Sequence, residues 1–139
     1  IKEPYRSRRF KCGEDLYAAI GIPRDNKAGR LMQLAKNYDF FGAPAAFFFA
    51  IDRQMGPGQW AHLGMLMQTI ALVAEGKGLA TCMQEAWARR HGLIRSFFAV
   101  PDELQIYCGL AVGYADKAAP INGWRTERAP VDEIATFFS

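Results

Sequence analysis

Few residues of this chain have the types and spacing that could do chemistry. His62 and His91 fall in different predicted helices, with no Cys or carboxylate at metal-ligand spacing, so they read as ordinary polar histidines. Cys82 sits in an extended piece between apolar residues, where a cysteine is expected to be buried as a small hydrophobe rather than to act as a nucleophile. No Ser, His and Asp set stands in an elbow context, and the glycines form neither a phosphate loop nor a Gly-x-Gly-x-x-Gly fingerprint. Two places remain. From Gly78 to Ala86, two glycines precede a strand-like piece that runs directly into a helix, so the backbone N–H groups around Glu85 and Ala86 point out of a helix start and can donate to a ligand. Arg125 and Arg128, before Pro130, follow the last strand by a short turn, where guanidinium groups can meet an anionic ligand at a sheet edge. Each place also has a plainer reading, an ordinary helix beginning and a pair of surface arginines.

The elements that must position these groups alternate between helical and extended patterns. Pro4 to Lys11 is basic and irregular, and Gly13 to Ile20 carries apolar residues at helical spacing until Gly21 and Pro23 stop it. Asp25 or Asn26 can cap a second helix that runs to Tyr38. Ala45 to Ile51 is a continuous apolar run between breakers, the pattern of a central strand covered on both faces. After the Gly56-Pro57-Gly58 turn, the main helix spans Gln59 to Glu75 and is apolar on nearly every side, which predicts burial, and packing on a second copy of the chain is one way to supply it. Leu79 to Gln84 is extended, Glu85 to Phe98 helical, Leu104 to Tyr114 a second central strand, and Val131 to Phe138 a terminal extended segment. Interleaved strands and helices predict an α+β or α/β domain.

The bulk properties exclude several classes of function. With 139 residues, half of them apolar, the chain can build one core. Its charges are mixed in sign and sum to only +3, so neither nucleic acid nor an anionic membrane is demanded as partner. The longest apolar helical run, Leu63 to Ala74, is short of the roughly 20 residues a bilayer needs. Ile1-Lys2-Glu3-Pro4 lacks the layout of a signal peptide, and Cys12, Cys82 and Cys108 show no paired spacing, so a reducing cytoplasm is expected. Starting at Ile1 rather than Met, the chain reads as though cut from something longer.

Taken in order, Phe41-Gly42-Ala43-Pro44 with its apolar strand, the long helix with Gly64 and Gln68, Ala74-Glu75-Gly76-Lys77-Gly78-Leu79 at its close, Pro101-x-x-Leu104, the Gly109 to Asp116 strand and the late Arg128-Ala129-Pro130 resemble the flavin-dependent nitroreductase family. The resemblance covers about Phe41 to Phe138. It implies an α+β fold with a central, mostly antiparallel sheet flanked by helices, a homodimer formed across the long buried helices, and FMN at the dimer interface. It also implies that the backbone of Met83, Gln84, Glu85 and Ala86 lies along the flavin ring, with an N–H near Glu85 or Ala86 facing N5, while Arg125 and Arg128 help hold the phosphate. The implied activity is ping-pong transfer of electrons from NAD(P)H to a nitroaromatic, a quinone or a similar small acceptor, with the flavin carrying the chemistry and no side chain acting as acid or base. The family's N-terminal phosphate-binding segment has no match here, so the expectation is a single nitroreductase-like domain over residues 1–139 that lacks its N-terminal part. A flavin-free, non-catalytic dimerisation fragment is the other reading, and another flavin chemistry on the same scaffold, such as enone reduction, also stays open.

Overall fold

In the computed structural model, residues 1–138 are described, and the chain divides into two compact units, Leu31–Ala115 and Ile1–Arg30 with the segment from Asp116 on. The first is built on three antiparallel strands, β1 (Ala45–Asp52), β2 (Ala80–Gln84) and β3 (Leu104–Gly113), in the order β1-β3-β2. The most apolar run, β1, therefore lies at an edge of this sheet and not at its centre; β3 takes the middle because it pairs with both neighbours. A bulge between Phe49 and Ala50 shifts the β1–β3 register.

Alternation along β3 divides the core into two faces. Cys108 and Leu110 point to one face and form a cluster with Phe49 and Met67, against which Leu63, Ile70, Tyr107 and Val112 pack. Leu63, Met67 and Ile70 belong to the long helix α3 (Pro57–Gly76), whose spacing of three and four residues forms one apolar stripe. The helix starts at Gly56, whose N–H donates to Oε1 of Gln59, with Pro57 in the first turn. Burying a side chain such as Met67 in this cluster contributes about 1.5–3 kcal/mol. Only Met67 and Ala74 of α3 are buried within the chain, while Met65, Leu66, Leu72 and Val73 are each more than half exposed.

On the opposite face Trp87, Ile94 and Ile106 form a second cluster with Tyr38, Phe40, Phe48, Ala50 and Val100. The elements that supply it depart from the sequence pattern. The predicted helix to Tyr38 ends early: α2 (Lys27–Ala35) gives way to a 3₁₀ segment, Lys36–Gly42, in which Phe40 and Phe41 have φ of 48° and 54°. That turn delivers the Phe40 ring to a stack on Trp87 at 5.0 Å, a tertiary contact no local pattern encodes. The predicted Glu85 to Phe98 helix is likewise a 3₁₀ segment, Glu85–Arg90, followed by α4 (His91–Phe98).

In the other unit the basic stretch is not irregular. It forms α1 (Tyr5–Ala19), because Arg, Lys and Phe are adequate helix formers and the one glycine, Gly13, costs only about 1 kcal/mol in a helix of 15 residues. Asn26 does cap α2, its Oδ1 accepting from the N–H of Gly29 at 2.8 Å. Downstream come two short turns, α5 (Pro120–Gly123) and α6 (Val131–Ile134). The terminal segment thus begins as a helical turn where extended backbone was expected, with Asp132 and Glu133 favourably placed in that turn, and only from Ala135 does the helix give way. Among the described residues no helix is long and apolar enough to cross a membrane, and no group of His, Cys, Asp or Glu is arranged to hold a metal ion.

Candidate functional site

The junction of β2 with the 3₁₀ segment is where the chain can present backbone to a ligand. β2 pairs with β3 along one edge only, from Ala80↔Gly113 to Gln84↔Gly109. The chain then turns into Glu85–Arg90, and the first N–H groups of such a segment have no acceptor within it. Met83 is 45% exposed and Glu85 is exposed, whereas Gln84 is 1% exposed. The side chain of Gln84 is therefore not available to a ligand; its Nε2 donates to the carbonyl of Asn37 at 2.9 Å. Ala86 is partly buried, and its carbonyl accepts a long hydrogen bond, 3.5 Å, from the hydroxyl of Tyr38.

Cys82, expected to be buried, is exposed at this edge. Surrounding protein still pushes its thiol pKa up, which keeps it protonated and a poor nucleophile. The buried Cys108 is pushed up for the same reason, burial, and is tied to the carbonyl of Gly109.

Arg125 and Arg128 lie in the other unit, on the exposed segment between α5 and α6. Arg125 donates to the carbonyls of Asn122 and Trp124 at 2.8 and 2.9 Å, and Arg128 donates to Thr126 and to the carbonyl of Glu127. Neither is paired with a carboxylate among the described residues. Arg128 also lines an open cleft of about 260 Å³ with Arg8, Lys11, Asp15, Glu127 and Glu133. The carboxylates of that cleft are taken up by Arg8 and Lys11, so Arg128 is its one cation without an acidic partner among the described residues.

A flat, polar-edged ring such as a flavin fits what the junction offers: an exposed apolar side chain at Met83, a small one at Ala86, and N–H donors with free direction at Glu85 and Ala86. The guanidinium groups of Arg125 and Arg128, with no carboxylate partner among the described residues, fit a phosphate. The fold thus holds the four junction residues together in one unit and the two arginines together in the other.

Two residues of the junction escaped the sequence reading. Trp87 is buried beside it, and Gly109 opposes Gln84 on β3. The signal for Gly109 was present, since a glycine inside a strand marks close approach of another group. Trp87 gave none, because its role depends on which strand passes beneath it.

A three-stranded antiparallel sheet with a long helix on one face and short helical segments on the other defines an α+β class. The sequence profile described as the nitroreductase family matches residues 7–114, most of the chain, and the protein belongs to that family. It is 40% identical over 92% of its length to a 4-nitrobenzoate reductase of Pseudomonas putida and 36% identical over 98% to one of Nocardioides sp. (strain LMS-CY); it covers 56% of each relative. Among solved structures, an FMN and NADPH-dependent nitroreductase NfnB from sphigopyxis sp. strain HMH superposes with a TM-score of 0.96 at 43% identity, over all of this chain and 62% of the other. The FMN-dependent NfnB from Mycobacterium smegmatis, solved in complex with NADPH, gives 0.94 at 27% identity, again over all of this chain and 62% of the other. The chain thus spans little more than half the length of the curated relatives it matches.

Proposed function

We propose that this chain is part of an FMN-dependent oxidoreductase that moves electrons from NAD(P)H to nitroaromatic or quinone-like acceptors. The observation that carries the reading is the β2 junction, where an exposed strand edge turns into a 3₁₀ segment whose first N–H groups, at Glu85 and Ala86, have no acceptor within that segment. Membership of the nitroreductase family and the names of the relatives support it. Bound FMN would supply the electron transfer itself. The chain's own residues would bind and orient: Met83 to Ala86 along the ring, Glu85 or Ala86 donating an N–H toward it, and Arg125 with Arg128 toward the phosphate.

The same reading takes the protein to be a homodimer of the cytoplasm. Met65, Leu66, Leu72 and Val73 leave an apolar strip of α3 uncovered in the single chain, and a second copy of this helix would bury it. Three free cysteines agree with a reducing compartment.

Titrating the purified protein with FMN, by quenching of flavin fluorescence, and then adding NADPH with 4-nitrobenzoate tests the proposal. Saturable binding and NADPH oxidation that depends on the nitro compound are expected. A protein that takes up no FMN is instead the flavin-free dimerisation module.

A further inference from the structure

Resting on that reading, we propose that Gln84 and Trp87 are positioning residues that clamp the Glu85–Ala86 peptide so that its N–H groups stay at one place for the flavin ring. Gln84, Gly109 and Phe48 are cross-strand partners, so the Gln84 and Phe48 side chains rise from the same face of the sheet. Gly109 contributes no side chain there, and the indole of Trp87 takes the space. A Cβ at Gly109 would lie 2.5 Å from Cδ1 and 3.2 Å from Nε1 of Trp87. The residue before the Glu85–Ala86 pair and the residue after it are therefore both anchored beside one glycine.

Both anchors are held from several sides. Gln84 donates to Asn37 at 2.9 Å, and the next residue, Tyr38, reaches the Ala86 carbonyl while its ring meets Trp87 edge-on at 5.1 Å. Phe40 stacks on the indole at 5.0 Å and Phe48 meets it edge-on at 5.1 Å. Packing alone does not account for these residue types. Oε1 of Gln84 and Nε1 of Trp87 are buried without a hydrogen-bond partner in the protein, which makes both residues less stabilising than apolar side chains of similar size. An interior-strand glycine is a further local cost. Three such departures from local rules converge on two residues whose own side chains do little, and sites that present a backbone to a ligand are where such departures are expected. The clamp turns an ordinary helix start into a fixed donor.

Gln84→Met keeps the approximate shape and removes the hydrogen bond to Asn37, whereas Trp87→Phe removes the five-membered part of the indole that fills the space over Gly109 and keeps an aromatic ring beside Phe40. In the flavin-free protein, backbone ¹⁵N order parameters at Glu85 and Ala86 should fall from the rigid range, roughly 0.85, to below about 0.6, with β1 and β3 unchanged. In the FMN-loaded protein, affinity should fall about tenfold, the scale of one lost hydrogen bond. Glu85 and Ala86 remaining as rigid in both variants as in the parent overturns the clamp, and so does a loss of order spread equally over β3. Should Gln84→Met fail to fold, Trp87→Phe, which keeps an aromatic ring in the stack, decides alone. A parent protein that binds no FMN refutes the proposed function, while the relaxation result still decides whether the clamp exists.

Discussion

The two units of this chain are held together by different physics. Every buried apolar side chain among the described residues lies between Phe49 and Ala111, inside the sheet unit. The unit of α1 and the late segment has no buried residue in any of its helices, and instead carries the Arg8–Glu133, Lys11–Asp15, Lys11–Glu127 and Arg30–Glu14 ion pairs. One region is set by close packing, which tolerates no added volume. The other is set by exposed and half-buried charges, which salt and acid weaken and which individually contribute little. The candidate residues of each unit inherit that difference: the Met83–Ala86 backbone is braced by a core, whereas Arg125 and Arg128 rest on carbonyls of their own neighbourhood.

The packed unit is most vulnerable at Gly109. Replacing Gly109 by Ala drives a methyl into Trp87, which Tyr38, Phe40 and Phe48 prevent from retreating, and should destabilise the sheet unit by about 1–3 kcal/mol. Urea unfolding followed by tryptophan fluorescence measures it. A neutral result would mean that the packing around the junction is loose. Gly58→Ala, where a Cβ meets nothing, is the control.

A smaller, more selective effect is expected in the other unit. Arg125→Ala combined with Arg128→Ala should lower FMN affinity about tenfold through lost charge-assisted hydrogen bonds, with riboflavin affinity, which involves no phosphate, unchanged. Parallel loss for both ligands would move these arginines from the phosphate to the architecture of their segment.

The smallest effect concerns Glu14. Hydrogen bonds from Arg30, at 2.7 and 3.0 Å, hold its carboxyl below the usual carboxylate range. A depressed folded pKa means that the contribution is complete above the ordinary value, about 4.3, and is lost as the pH falls through the folded one. Glu14→Gln should therefore remove part of the acid sensitivity of α1, measured by limited proteolysis within residues 5–19, and leave β3 unaffected. Raising salt should loosen α1 in the same assay without touching the sheet unit.

Much of this was legible in the residues. Breakers and apolar periodicity bounded β1, α3, β2 and β3 to within a few residues, Asn26 was readable as a cap, and the order of motifs from Phe41 onward pointed to the family. The helix start at Glu85–Ala86 was legible too, since two glycines, an extended piece and a helix follow one another directly. Local chemistry determines these things because they depend on neighbours within a few positions. What only the tertiary structure decided is how that start is braced. The 3₁₀ turns at Lys36–Gly42 and Glu85–Arg90, the central place of β3, and the meeting of Gln84, Trp87 and Gly109 on one face all rest on contacts between residues far apart in the chain. Pairing across strands, not spacing along them, fixes which side chains share a face.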